Sequence, residues 1–211
     1  VTYMVFDVMR FHGHDVTPFL RPRANALGVI LGDGWYCGNI MVNKRTRFGA
    51  YPELLLQIEI TFDDGTRQTI RSDSAWKATT GPILKSDHYN GEVYDARKEL
   101  GDWTRPGYDD SGWQAATARP VDDRLALTPV PNPPIRITQI LPAVAVTEPK
   151  PDKFVFDLGQ NMVGWARIDV PAAPGREITL RFAEMLNDDG TLYTENYRTA
   201  KSTDTYVCKG T

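Results

Sequence analysis

The stretch FVFDLGQNMVGWARIDVPAAPGREITLRFAEMLNDDGTLYTENYRTAKSTDTY, Phe154 to Tyr206, decides the fold. Its apolar residues recur at every second position, as in Ile178, Leu180 and Phe182, the period with which strand side chains alternate between faces. Arg176 to Leu186 is followed by Asn187-Asp188-Asp189-Gly190 and then by TLYTENY, a strand, turn and strand with glycine at the left-handed position. The pattern also occurs upstream, where LLLQIEITF (Leu54 to Phe62) runs through Asp63-Asp64-Gly65-Thr66 into RQTIRSD. Further strands are predicted at Ala26 to Leu31, Ile135 to Ile140, Phe154 to Asp157, Ala166 to Val170 and Thr205 to Cys208. Only Thr17 to Leu20 and Tyr108 to Ala116 read as short helical or 3-10 turns, the second with an Asp or Ser available to cap it. Many short strands separated by Gly, Pro and Asp turns predict an all-β chain of jelly-roll or β-sandwich modules.

Eight of the fifteen prolines fall between Pro120 and Pro151. Proline fixes φ and donates no hydrogen bond, so this segment is expected to be an extended connection between two modules. The division predicted is residues 1–128 and 129–211, placed to within about ten residues because Ile135 to Ile140 still alternates like a strand. No internal repeat recurs at a fixed period. Val1 to Val8 opens on a strand without an earlier partner, and Thr205 to Cys208 is a strand at the other end. Both modules are therefore expected to be truncated, with unpaired edges that make the isolated chain aggregation-prone.

Of the 211 residues 41% are apolar and 24% charged, ordinary values for a packed chain. A net charge of −3 and a pI near 5.6 leave no basic surplus for a phosphate backbone, so nucleic acid is not an expected partner. No apolar run approaches the roughly 20 residues that span a bilayer, and no membrane partner is expected. A secretory leader pattern is absent from the first residues, and the compartment stays open. Cys37 and Cys208 lie far apart with no CxxC spacing. Each is expected to be a free, buried thiol, the alternative being a disulfide between them.

No GxSxG elbow, P-loop, GxGxxG or HExxH occurs. Glycosidases commonly use two carboxylates about 5 to 10 Å apart, and Glu92 and Asp95 are the tempting pair. Residues three apart in a strand point to opposite faces, so the two would not converge on one substrate. Asp95 and Arg97 read as an ion pair at a strand end, while Glu92 and Tyr94 share the other face. The acids in FDDGT and NDDGT read as turn formers rather than a calcium loop, since neither segment supplies the full set of oxygen ligands. His12-Gly13-His14-Asp15 lacks a third and fourth ligand, and His88 stands alone in the sequence. No catalytic pair and no metal site is assigned.

What remains are aromatic residues flanked by polar ones, the combination that stacks on a sugar's C–H groups while bonding its hydroxyls. Asp33, Trp35, Tyr36 and Asn39 form one such cluster, with Gly32, Gly34 and Gly38 letting the backbone bend. Trp35 has two readings, a displayed sugar platform or a core anchor beneath the loop. Asn90 and Glu92, with Asp87 and Tyr89, form a second candidate whose alternative is a buried polar network. Trp76, Trp103, Trp113 and Trp165 are expected to pack in cores.

TLYTENY with Ala200, Thr203, Asp204 and Tyr206, LGDGWY at Leu31 to Tyr36, and HYNGEVYDAR at His88 to Arg97 together carry a resemblance. The chain resembles the β-sandwich region that precedes the catalytic domain in bacterial α-L-rhamnosidases, inverting glycoside hydrolases. The resemblance covers nearly the whole chain, but it covers non-catalytic modules: a rhamnosidase N-terminal-like sandwich and a concanavalin-like sandwich. It implies a parent protein that hydrolyses terminal α-L-rhamnose, with the catalytic helical barrel further along the same polypeptide. It also implies rhamnose-containing glycosides or polysaccharides and that catalytic domain as partners. The DGWY segment belongs, in the family, to a module that in some members binds rhamnose, sometimes with calcium. No other cofactor is implied. Asp157-Leu158-Gly159-Gln160-Asn161 resembles a motif of the second sandwich and also reads simply as a structural turn. MRFHGHD (Met9 to Asp15) departs from the pattern as a short insertion. The alternative from another class is a freestanding lectin-like or structural module of a larger carbohydrate-active protein.

Overall fold

A computed structural model describes residues 8–40, 45–121 and 125–210. Val1 to Asp7 of the expected opening strand lie outside the described residues. Among these, fourteen strands occur: β1 (Val8–Phe11), β2 (Gln57–Thr61), β3 (Arg67–Arg71), β4 (Lys77–Ala78), β5 (Ile83–Asp87), β6 (Gly91–Asp95), β7 (Gln114–Ala115), β8 (Ala126–Pro129), β9 (Ala145–Lys150), β10 (Lys153–Asp157), β11 (Glu177–Arg181), β12 (Met185–Leu186), β13 (Leu192–Tyr193) and β14 (Thr203–Val207). Among the described residues helical structure is confined to single turns at Thr17–Phe19, Gly34–Cys37, Ala96–Lys98 and Glu195–Tyr197. No helix among the described residues is long and apolar enough to cross a membrane.

By contact the chain divides into two compact units. One comprises Val1–Val29, Leu55–Thr79 and Asp102–Arg136. It holds the β1–β8, β2–β3 and β4–β7 pairs. The β2–β3 hairpin forms as the sequence predicts, in antiparallel register from Gln57 opposite Arg71 to Thr61 opposite Arg67. Its turn is held by Asp64, whose Oδ1 accepts from the Thr66 amide at 2.9 Å and the Thr66 hydroxyl at 2.7 Å, and Gly65 takes φ +83°. Trp103 and Trp113 lie 6.2 Å apart, with Tyr108 edge-on to Trp113 at 5.9 Å. The segment Tyr108 to Ala116 is not helical: Asp109 and Asp110 close turns there and Gln114–Ala115 pairs as β7.

The other unit comprises Ile30–Leu54, Thr80–Gly101 and Ile137–Thr211. Its centre is a four-stranded sheet ordered β11-β14-β6-β5. β14 runs antiparallel to β11 and parallel to β6, with Thr205 opposite Val93 and Val207 opposite Asp95. The last strand is thus paired on both sides, which corrects the expectation that it closes the chain on an unpaired edge. A parallel neighbour requires a long crossover, and here that neighbour lies more than a hundred residues earlier. The 176–193 segment also differs from the single hairpin predicted. β11 takes β14 as its partner, and the Asn187–Gly190 turn closes only the short β12–β13 pair. Its chemistry repeats that of the first hairpin, Asp189 Oδ1 accepting from Thr191 N at 3.0 Å. Val207, Cys208, Ala96 and Cys37 are buried, and both cysteines are free.

Three predicted strands do not form. Ile135 to Ile140 follows Pro131, Pro133 and Pro134, which cannot donate to a ladder, and Ile135 is 95% exposed. Ala26 to Leu31 and Ala166 to Val170 find no ladder partner among the described residues, and strand geometry without one leaves backbone groups unpaired. Trp165 is exposed rather than packed in a core, whereas Trp76, Trp103 and Trp113 are half-buried. The Asp157–Asn161 segment turns as expected, with Asp157 Oδ1 accepting from Gly159 N at 2.7 Å.

Gly91, at φ +85°, begins β6, and a Cβ there would sit 2.1 Å from the Thr203 carbonyl oxygen and 2.6 Å from Asp204 Oδ1. A Cβ on Gly65 would meet nothing within 4 Å. Gly65→Ala is therefore expected to cost only the left-handed penalty, about 1 kcal/mol, while Gly91→Ala adds a backbone clash and should cost at least about 3 kcal/mol. Urea unfolding midpoints of the two variants, compared with the parent chain, check the ordering.

Candidate functional site

Asp33 begins a single helical turn in which the Cys37 amide donates to the Asp33 carbonyl at 3.0 Å. Four residues are too few for a helix to persist unaided, so tertiary anchors hold it. The principal anchor is Asp87 at the end of β5, its side chain 4% exposed. Asp87 Oδ2 accepts from the Asn39 amide at 2.6 Å and from Asn39 Nδ2 at 2.8 Å. Oδ1 accepts from the Tyr89 and Asn90 amides at 2.9 and 3.0 Å, so one carboxylate ties the Gly34–Cys37 turn to the β5–β6 turn. Gly38 makes the approach possible, because a Cβ there would lie 2.9 Å from Asp87 Oδ2 and 2.1 Å from the Gly34 carbonyl.

Trp35 is 51% exposed, so the core-anchor alternative does not hold. Its ring meets His88 edge-on with centroids 5.8 Å apart, and Tyr89 at 6.3 Å with 30° between planes. His88 is thus not alone in space, although nothing near it in sequence marks it. Arg45 completes the cluster. Its Nη2 lies 2.6 Å from Asp33 Oδ2, and its Nη1 lies 4.0 Å from Asp87 Oδ2. No spacing pattern ties Arg45 to Asp33, and sequence reasoning missed it. Of the predicted residues, Asp33, Trp35, Asn39 and the Asn90 backbone come together around Asp87. Tyr36 packs against Gly49, where a Cβ would fall 2.1 Å from its ring.

Glu92 stands two residues beyond Asn90 in β6. Its amide donates to Asp204 Oδ1 at 2.8 Å, and Tyr94, on the same face, stacks on Tyr206 at 5.5 Å with rings 6° from parallel. Asp95, at the end of the same strand, is buried and makes a two-point contact with Arg97, both distances 2.9 Å. The expected ion pair is present, formed through the Ala96–Lys98 turn that Asp95 also caps.

The two carboxyls near the aromatic cluster differ in their electrostatics. Burial alone would raise the Asp87 pKa, but bonds from Asn39, Tyr89 and Asn90 outweigh it and hold the group below its usual 3.8. Burial, with the Asp204 charge adding to it, raises Glu92 above its usual 4.5. Calcium would need six to eight oxygen ligands. Both Asp87 oxygens are already taken by two N–H donors each and Asp33 is paired with Arg45. The residues present do not fit that ion, and among the described residues no three His, Cys, Asp or Glu side chains group as metal ligands. The arrangement that remains is a half-exposed indole, backed by two rings and rimmed by an ion pair.

Two family models match, an α-L-rhamnosidase N-terminal domain over residues 6–139 and a bacterial α-L-rhamnosidase concanavalin-like domain over residues 147–211. The chain belongs to the α-L-rhamnosidase N-terminal domain family. An α-L-rhamnosidase of Streptomyces avermitilis is 46% identical over 202 residues, 96% of this chain and 20% of that protein. The crystal structure of a Streptomyces avermitilis α-L-rhamnosidase complexed with L-rhamnose superposes with a TM-score of 0.79 at 47% identity, covering 85% of this chain and 17% of that one. The native enzyme of Aspergillus terreus gives a TM-score of 0.79 at 35% identity, covering 85% and 21%. The chain thus spans about one fifth of the length of these rhamnosidases. The all-β architecture is that of rhamnosidase N-terminal and concanavalin-like sandwich domains.

Two outcomes follow for the site's carboxyls. Asp87 has a lowered folded-state pKa, so its contribution is present above the unfolded value and is lost as pH falls through the folded one. Asp87→Asn, which retains one acceptor oxygen for four donors, should lower stability at pH 7 by about 1 to 3 kcal/mol, and the difference should shrink as pH falls below the usual carboxylate range. Glu92 has a raised pKa, so its contribution is complete below the unfolded value and is lost as pH rises through the folded one. Glu92→Gln should therefore be the more stable chain at pH 7, with no advantage at pH 4 or below. Unfolding midpoints across pH check both signs.

Proposed function

We propose that the chain is the non-catalytic β-sandwich region of an α-L-rhamnosidase, a region that engages rhamnose-bearing glycans and supports a catalytic domain in the same polypeptide. The observation that carries the sugar-binding role is Trp35, half exposed on a helical turn that Asp87 holds rigid, with His88 and Tyr89 behind it. An exposed indole face stacks on sugar C–H groups, and the Asp33–Arg45 pair offers donors and acceptors to hydroxyls. The relative crystallised with L-rhamnose supports that sugar as the ligand class. The parent reaction is hydrolysis of terminal α-L-rhamnose, carried out by residues outside this chain.

The non-catalytic role is supported by the acids themselves. Glu92 and Asp95 lie on opposite faces of β6, and Asp95 is consumed by Arg97. The supporting role draws on the β9–β10 hairpin, where Val146 lies opposite Phe156, and Val146, Phe154 and Phe156 are each more than half exposed. A two-stranded hairpin with an open apolar face gains stability only when covered, and the catalytic domain is the cover we propose. A module boundary near residue 129, placed to within about ten residues, is part of the same proposal; the family matches meet further along, between residues 139 and 147.

L-Rhamnose at millimolar concentration should change the tryptophan emission of the chain, and Trp35→Ala should remove the change while the far-UV spectrum is retained. An unchanged response in Trp35→Ala would overturn the site. The same chain, incubated with p-nitrophenyl α-L-rhamnoside, should release no more p-nitrophenol than a heat-treated control.

A further inference from the structure

The aromatic cluster stands on the Asp87–Asn90 turn, and that turn has a second clamp on the side away from Asp87. The Tyr89 carbonyl accepts from two successive amides, Lys201 N at 3.0 Å and Ser202 N at 2.9 Å. Ser202, at φ +46°, then turns the chain so that the next amide, Thr203 N, reaches the neighbouring Asn90 carbonyl at 3.4 Å. Such a conformation is uncommon for a residue with a Cβ and costs energy. The surroundings hold it in place: the Ser202 carbonyl accepts from Phe182 N at 3.0 Å, the Asn90 carbonyl accepts from Thr203 N at 3.4 Å, and Asp204 accepts from Glu92 N at 2.8 Å. The segment Lys201–Asp204 is thereby stapled to both ends of the turn that carries His88 and Tyr89.

We propose that Ser202 is a positioning residue for the sugar site: its left-handed backbone turns the chain between its own amide, bonded to the Tyr89 carbonyl, and the Thr203 amide, bonded to the Asn90 carbonyl, and so holds the turn that backs Trp35. This rests on the sugar-binding function proposed above. Neither amide needs to touch sugar. The clamp acts by denying Tyr89, and with it His88, the freedom to swing away from the indole, so the ligand meets a preorganised surface.

The test uses two substitutions that differ in backbone tolerance. Valine, β-branched, is disfavoured at positive φ, whereas glycine adopts it without strain. Ser202→Val should release the clamp, red-shift the Trp35 contribution to the emission spectrum in the absence of sugar (obtained by subtracting Trp35→Phe), and weaken L-rhamnose binding about ten-fold, the equivalent of one lost hydrogen bond. Ser202→Gly should match the parent in both. Parent-like emission and affinity in a folded Ser202→Val would overturn the proposal. If Ser202→Val does not fold, hydrogen exchange on the parent chain decides. The Lys201, Ser202, Tyr89 and Asn90 amides should open together, and protection of the two pairs differing more than about ten-fold would overturn it. Should L-rhamnose fail to bind the parent chain, the sugar-binding function falls, while emission and exchange still settle the clamp.

Discussion

The parallel pairing of β6 with β14 is the constraint on which the rest of the second unit depends. It joins Glu92 to Asp204 across 112 residues through an amide-to-carboxylate bond of 2.8 Å. No local propensity can make such a contact. It forms only after a long loop has closed, and the closure entropy must be recovered by everything the sheet then buries. Gly91 sets how close the strands come, since its missing side chain is where the Thr203 carbonyl passes. The same approach brings Ser202 beneath Tyr89. The sheet, the turn and the aromatic cluster are therefore consequences of one register.

That dependence explains which parts of the molecule could be read from the residues alone. The β2–β3 hairpin was legible because partners, turn and αL glycine all lie within fifteen residues, and Asp64 and Asp189 do the same work for the same sequence reason. The role of Thr203–Val207 as an interior strand was not legible, because its pairing with β6 leaves no trace in local periodicity. Ile135 to Ile140 alternates well enough to be a strand, yet the prolines before it remove ladder donors, and composition overrode pattern. In the site, Asp33, Trp35 and Asn39 were visible as an aromatic among polar residues beside glycines. Arg45, His88 and Ser202 were not, since each acquires its part through a contact or a dihedral angle that residue type does not announce.

Burial alone does not decide the charge state of the acids in this sheet; the hydrogen-bond donors do. Asp87 and Asp95 are both nearly inaccessible, yet each is held in its charged form, one by four N–H groups and the other by a guanidinium fork. Glu92 is less buried, has Asp204 as its neighbour in the sheet, and is pushed toward the neutral form. The donors around Asp87 are backbone and amide groups already fixed by the fold, so its charge organises structure and is not offered to solvent. This is why the residue with the most bonds in the site is an unpromising ligand contact, and why Trp35 and the Asp33–Arg45 rim, which face outward, are the better ones.

The same distribution of partners bears on the proposal that this region binds sugar without cleaving it. Cleavage needs two carboxyls converging on one bond, one able to donate a proton and the other charged and free to act on carbon or water. In β6 the group biased toward its protonated form is Glu92 and the charged group is Asp95, but strand geometry sends them to opposite faces and Arg97 occupies both oxygens of the second. Binding asks for less: a rigid apolar face of the right size, a few polar groups at its edge, and little motion left to lose on contact. A half-exposed indole fixed from below by Asp87 and from the side by the Tyr89 clamp meets those terms with side chains whose charges are already internally satisfied.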